Sequence, residues 1–147
     1  METVWVPHDR RHAANDMQPG DCVIIYESRS GRAEIRTQPD GTETPVPCQT
    51  GQEGMICYGR VAGAMTEDTN VQPSQYADGS EIRWSWSAPV TILCTQGYVA
   101  RPDLLRILNY NPNWNLRGFG DAHSGLKKIT KPQYDALIQA FCAATHP

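Results

Sequence analysis

The sequence lacks long hydrophobic runs, and this excludes a helical membrane protein. Its longest apolar stretches are short, at Cys22–Tyr26 and Pro89–Cys94, whereas a membrane-spanning helix needs roughly 20 apolar residues. The opening segment Met1–Asp21 also lacks the basic-then-apolar order of a signal peptide. We therefore expect a soluble cytoplasmic protein that is not exported and has no membrane partner.

An excess of charge of one sign is absent too. The 147 residues carry 13 basic and 16 acidic side chains, a net charge of −3, which excludes a broad basic surface that wraps nucleic acid. Residues 97–147 have six basic and three acidic side chains, whereas residues 1–96 have seven and thirteen. A local anion-facing patch is compatible with this asymmetry.

Cysteine is present in a pattern that excludes a disulfide framework. The five residues are an odd number without C-x-x-C spacing, and no export signal precedes them. We expect reduced thiols in a reducing compartment, buried as small hydrophobic side chains. They are Cys22, Cys48, Cys57, Cys94 and Cys142.

The common enzyme motifs are missing. The chain has no G-x-S-x-G, no Walker loop, no H-E-x-x-H and no G-x-G-x-x-G between a strand and a helix. His8 and His12 have metal-ligand spacing with Asp16, but the neighbouring arginines disfavour a cation, so we interpret them as a solvated helix face. The prediction is a binding protein rather than an enzyme, with no catalytic residue, metal or cofactor.

Hydrophobic periodicity predicts an α+β protein rather than a parallel α/β sheet, because helices do not alternate with strands. We expect one domain over residues 1–147, a small mixed β-barrel capped by short helices, with a polar loop or insertion at about 38–53. The predicted strands are Thr3–Val6, Cys22–Glu27, Ala33–Thr37, Met55–Ala64 and Ser80–Cys94. The predicted helices are His8–Met17, Pro102–Leu108 and one that follows a capping box at Thr130–Gln133.

Aromatic side chains occupy unusual places. Tyr76 and Trp114 fall in polar segments, and Trp84 and Trp86 lie two apart, facing the same side if their strand is regular. An aromatic residue in a loop either anchors that loop or presents its face to a planar ligand. We predict that Tyr76, Trp84 and Trp114 form the walls of such a site and that at least one of Trp84 and Trp86 is core.

The order of motifs resembles the EVE domain of the PUA-like superfamily, which is related to YTH, ASCH and PUA modules. The motifs are TVWV, HDRRHAANDM, PGD, CVIIYES, YGRVAG, IRWSWSAPVTIL, an Arg-Pro helix start and GLKKIT before the last helix. The resemblance covers about Thr3–Thr37 and Met55–Phe141. It implies a PUA-like barrel with a pocket that holds one extruded, modified nucleobase, such as a 5-substituted cytosine, in DNA in preference to RNA.

The same resemblance implies roles for named residues. Tyr76, Trp84 and Trp114 would wall the base, and His8, Asp9 and Asn15 would read its edge. Phosphates would be bound by Arg10, Arg11, Arg117, Lys127 and Lys128. A nuclease is the expected partner or fused effector. The alternatives are an RNA-binding PUA-type module, an ASCH-like hydrolase of nucleoside derivatives, and a protein-interaction domain that uses the acidic half.

Overall fold

The structure, a computed structural model, describes residues 2–7, 9, 11–27, 33–47, 51–110 and 128–144. In these residues the chain forms a mixed α+β fold of mostly antiparallel strands and a few short helices. The helices are α1 (Arg11–Asp16), α2 (Arg101–Ile107) and α3 (Lys131–Ala143). The strands are β1 (Glu2–Val6), β2 (Cys22–Glu27), β3 (Glu34–Thr37), β4 (Glu43–Val46), β5 (Gly54–Val61), β6 (Thr66–Glu67), β7 (Ser74–Tyr76), β8 (Glu81–Ile82), β9 (Trp86–Cys94) and β10 (Val99–Ala100).

The larger sheet has the strand order β1-β9-β5-β10, and β2 and β6 pair with β5 and β9 respectively. It is curled into a half-barrel. Two register shifts assist this curl, one between Ile25 and Tyr26 on β2 and one between Tyr58 and Gly59 on β5. At Gly59 a Cβ atom would collide with the carbonyl oxygen of Thr91, so the close approach of β9 requires glycine there.

The smaller sheet, with the order β4-β3-β7-β8, corrects the sequence analysis. Residues 38–53 were expected to be a loop without periodicity, yet they contain β4, which forms a hairpin with β3. Gln38 N donates to Thr42 O at 2.7 Å, and Gly41 supplies the positive φ of 87° that the turn needs. Pro45 is compatible with β4 because β4 is an edge strand. Residues 66–79, for which no strand was predicted, likewise contain β6 and β7.

Helices α2 and α3 cover one part of the larger sheet and build the main hydrophobic core there. The buried side chains of this helix-covered core come from β5, β10 and both helices: Met55, Val99, Leu104, Leu108, Leu137 and Phe141. The predicted capping box that starts α3 is confirmed, since Thr130 Oγ1 accepts from Gln133 N and Gln133 Oε1 accepts from Thr130 N at 2.9 Å. The apolar spacing of α3 therefore places Leu137 and Phe141 in the core.

A second group of buried residues lies on the paired strands β1, β9 and β5. Ala88 and Val90 alternate along β9, and Val90 is the direct partner of Val61 on β5. Val6 at the end of β1 is buried as well. These residues form a buried face of the paired strands, as expected for strands with period-two patterning.

The cysteines differ in exposure, which corrects the expectation of buried thiols. Cys57 is buried and Cys94 is half-buried, but Cys22 and Cys142 are exposed. Cys22 is exposed because it begins β2 opposite the exposed Arg60. Cys48 lies outside the described residues. Within the described ranges, no helix has the length and apolar character needed to cross a bilayer.

Candidate functional site

A tight hairpin positions Tyr76 at the end of β7. Tyr76 N donates to Ser80 O, and Gly79 N donates to Tyr76 O, both at 3.0 Å. Gly79 has a φ of 87°, which side chains with a Cβ rarely adopt, and the Asp78 carboxylate accepts from Ser80 N at 2.9 Å. The backbone around the Tyr76 ring is therefore well defined by the sequence DGS that follows it.

Trp84 lies in a break between two strands, and its indole contacts Tyr76 directly. The indole Nε1 donates a hydrogen bond to the Tyr76 hydroxyl at 3.0 Å, and both side chains are half-buried. The Tyr76 hydroxyl thus satisfies the indole donor of Trp84. We name these two residues the aromatic pair. The structure brings together two of the three residues that the sequence analysis assigned to the walls of a site.

The break at residues 83–85 corrects the prediction of one continuous strand over Ser80–Cys94. Strand β8 ends at Ile82 and β9 begins at Trp86, so Trp84 and Trp86 do not share one regular strand. Trp86 pairs with Val6 on β1 and with Glu67 on β6. Trp86 is therefore held in the larger sheet, whereas Trp84 turns to the smaller one.

Several elements converge on the segment that carries Trp84. The end of β1 and the strand β6 both pair with the start of β9, and Asp68 N donates to Ser85 O at 2.8 Å. The turn and helix that follow β1 contain Asp9, Arg11 and Asn15. The start of β9 is consequently where the end of β1, the strand β6 and the segment that carries Trp84 meet.

Ser85 is a feature that the sequence analysis missed. The residue is only 2% exposed, and its Oγ has no hydrogen-bond partner in the described part of the chain. An unsatisfied buried hydroxyl costs about 1–3 kcal/mol. The only sequence signal was its position between two tryptophans, where a small polar residue is unexpected in a strand core.

A small cavity of about 130 Å³ lies beside the end of α1. Asn15 and Gln18 contribute polar groups to it, and Met65 closes one side just before β6 begins. Gln18 Nε2 donates to Asn15 O at 2.7 Å, which fixes the turn after the helix. Sites that enclose a drug-sized ligand usually measure about 300–1,000 Å³, so this cavity admits only a small group.

The remaining predicted residues are placed as follows. Asp9 is exposed in the turn after β1, Arg11 is exposed at the start of α1, and Lys128 is exposed just before α3. None of them is shown in contact with the aromatic pair in the described residues. The other predicted residues lie outside the described ranges: His8, Arg10, Trp114, Arg117 and Lys127.

The charges near the aromatic pair are of both signs. Glu34 is the direct cross-strand partner of Tyr76, and its carboxylate forms an ion pair with Arg36 at 3.5 Å. Arg83, which precedes Trp84, is exposed, as are Glu67 and Asp68. Such a surface offers few free cations for a phosphate backbone. Among the described residues there is also no group of three His, Cys, Asp or Glu side chains that could hold a metal ion.

The chain was compared with known proteins. No protein-family model matches it, and no curated protein matches it either.

Proposed function

We propose that this protein is a cytoplasmic reader module that binds one modified base extruded from a nucleic-acid strand, a 5-substituted cytosine in DNA. We also propose that its curled half-barrel is a PUA-like fold of the EVE type and that a nuclease is its partner or fused effector. The observation that carries the proposal is the hydrogen bond between Trp84 Nε1 and Tyr76 Oη. The order of sequence motifs supports it.

The energetics of base extrusion explain why an aromatic pair suits this function. Removing a base from the stack costs a few kcal/mol. Stacking on an aromatic face returns about 1–3 kcal/mol per base, and the Trp84–Tyr76 hydrogen bond holds the indole without a contribution from the ligand. Asn15 offers both a donor and an acceptor, which suits a Watson–Crick edge. Phosphate contacts then need only hold the flanking backbone.

The charge distribution predicts that the affinity for nucleic acid falls only weakly as the salt concentration rises. The described cations of the predicted phosphate-binding set, Arg11 and Lys128, are exposed but few, and acidic residues lie near the aromatic pair. Each phosphate contact contributes a slope of about −0.9 in a plot of log affinity against log salt. We therefore expect a total slope well short of about −6.

The test is a titration against matched oligonucleotides, in DNA and RNA, that carry unmodified cytosine, 5-substituted cytosine or N-methylated adenine. We expect Trp84→Ala to lower the affinity for the 5-substituted DNA by at least about tenfold, because it removes a stacking face. Trp84→Phe should lose less affinity, because phenylalanine keeps an aromatic face for stacking. Leu93→Ala is the control, because Leu93 is a large apolar side chain that is 52% exposed and lies toward the end of β9 that is away from Trp84.

Several outcomes would overturn the proposal. Equal affinity of Trp84→Ala and Leu93→Ala, with unchanged circular dichroism, would remove the aromatic pair from the site. Preference for the RNA series would assign the chain to RNA-binding PUA-type modules, and consumption of a free nucleoside derivative would indicate a hydrolase. A salt slope of about −6 or steeper would indicate extended electrostatic binding.

A further inference from the structure

A seam between α3 and the larger sheet brings together two cysteines that are distant in the sequence. The Tyr58 ring on β5 contacts the Phe141 ring on α3, with centroids 5.6 Å apart and planes at 83°. Cys94, the last residue of β9, is the direct cross-strand partner of Tyr58. Cys142 follows Phe141 in the last turn of α3. Tyr58 therefore lies between the end of a strand and the end of a helix.

Both thiols lie beside the Tyr58 side chain. Cys94 is its cross-strand partner, and after burial Cys142 and Cys94 are the groups that raise the pKa of the Tyr58 phenol. Cys142 is exposed to solvent, whereas Cys94 is half-buried and packs against the helix-covered core. Cys142 is thus accessible to a reagent from solution, whereas Cys94 is less accessible.

We propose that Cys94 and Cys142 form an oxidative modification site, at which hydrogen peroxide converts the two thiols into an intramolecular disulfide. The bond would tie the last turn of α3 to the end of β9. This proposal does not depend on the proposed nucleic-acid function, because the seam lies at the opposite end of β9 from Trp86.

The reaction proceeds in two balanced steps. The Cys142 thiolate attacks one oxygen of the peroxide, the O–O bond breaks, and a sulfenic acid forms at Cys142 while the other oxygen leaves as water after taking a proton. The Cys94 thiolate then attacks the Cys142 sulfur, the S–S bond forms, and the hydroxyl group leaves as a second water. The two thiols lose two electrons, and the peroxide bond gains them.

Tyr58 acts as a positioning residue in this site. Burial raises the pKa of the Tyr58 phenol, so the phenol keeps its proton at neutral pH. Its O–H group can therefore donate a hydrogen bond to a thiolate beside it, and the edge contact with Phe141 positions the ring. We expect this hydrogen bond to orient the thiolate, which is the reactive form, for attack.

Cys22 provides a matched control at the other end of α3. It is exposed like Cys142, and after burial it is the group that most raises the pKa of the Tyr134 phenol in the first half of the helix. It therefore gives a similar pairing of phenol and thiol, but no second cysteine of the described residues acts on that phenol. Exposure alone predicts that Cys22 and Cys142 react alike, whereas the proposal predicts cross-linking through Cys142.

The experiment treats the full chain with hydrogen peroxide, alkylates the remaining thiols and maps the peptides without reduction. We expect a Cys94–Cys142 linked peptide in the wild type and in Cys22→Ser, and none in Cys94→Ser or Cys142→Ser. Cys94→Ser should instead accumulate a sulfenic acid at Cys142 that dimedone traps. Tyr58→Phe should slow cross-linking several-fold while still giving the same peptide, and oxidation should raise the wild-type Tm by several degrees.

Three results would overturn the proposal. The first is full alkylation of both Cys94 and Cys142 after peroxide treatment. The second is a disulfide from Cys142 to Cys22 or to Cys48. The third is cross-linking only between two chains, which native mass spectrometry distinguishes from the internal bond. An unchanged cross-linking rate in Tyr58→Phe would remove Tyr58 from the site and leave the disulfide itself standing.

Discussion

The helix-covered core and the smaller sheet are built in opposite ways. Under α2 and α3, long apolar side chains such as Met55, Leu104 and Phe141 are completely buried. In the four described strands of the smaller sheet, β3, β4, β7 and β8, Ile82 is the one buried residue. The first region is stabilised mainly by burial of apolar surface. The second depends on turns and on individual polar contacts.

This difference places the candidate site in the less stable region. Tyr76 belongs to the smaller sheet, and Trp84 lies in the break between β8 and β9. Segments with few buried apolar contacts open with a lower free energy than the core does. A base that must be inserted beside an aromatic ring is better served by such a segment than by a close-packed interior.

We expect the largest loss of stability from a substitution in the helix-covered core. Phe141→Ala removes a fully buried ring and its edge contact with Tyr58, so we expect a loss of about 3–5 kcal/mol in the free energy of unfolding. Urea unfolding measures it. Leu93→Ala is the control, because Leu93 is 52% exposed at the sheet surface and should change stability by less than about 0.5 kcal/mol. Equal losses would show that burial does not account for the stability of the helix-covered core.

Much of the helix-covered part could be predicted from the sequence, because local signals there agree with the packing. The capping box at Thr130–Gln133 was sufficient to place the start of α3, and the spacing of Leu137 and Phe141 agrees with its buried face. The run Cys22–Glu27 matches β2 residue for residue. In contrast, β4 was missed because its residues ETPV have little hydrophobicity and include a proline. Its order comes from hydrogen bonds to β3, which sequence patterns do not contain.

The candidate site was predictable only in its residue types. Aromatic rings in polar segments drew attention to Tyr76 and Trp84, but their hydrogen bond depends on a strand break that no proline or glycine marks. The unpaired hydroxyl of Ser85 was invisible for the same reason, since burial of a serine between two tryptophans is decided by tertiary contacts. The edge-reading and phosphate-binding assignments remain predictions.

A double-mutant cycle on the aromatic pair tests the weaker region. Trp84→Phe removes the indole donor, Tyr76→Phe removes the hydroxyl acceptor, and the double variant removes both. We expect the two changes to be coupled by about 0.5–1.5 kcal/mol in the free energy of unfolding, the usual net contribution of one hydrogen bond. Additive effects would mean that the contact at 3.0 Å contributes nothing to stability, and the contrast with Phe141→Ala would then be larger still.

The smallest expected effect is on the pH dependence of stability, and it concerns the helix-covered region. Burial, and then a hydrogen bond with Cys22, raises the pKa of Tyr134 on α3 to about 12, whereas a tyrosine in the unfolded chain ionises near 10. Between these values the folded protein holds a proton that the unfolded chain has lost, so stability falls as the pH rises through this range. Because burial also raises the pKa of Tyr26 and Tyr58 beside the same core, Tyr134→Phe should reduce this fall in stability without abolishing it.

Urea midpoints of the wild type and of Tyr134→Phe, measured at about pH 9 and about pH 11, would test this. Identical falls in the wild type and in Tyr134→Phe would contradict the assignment, and a difference already present at neutral pH would indicate lost packing instead of a shifted proton.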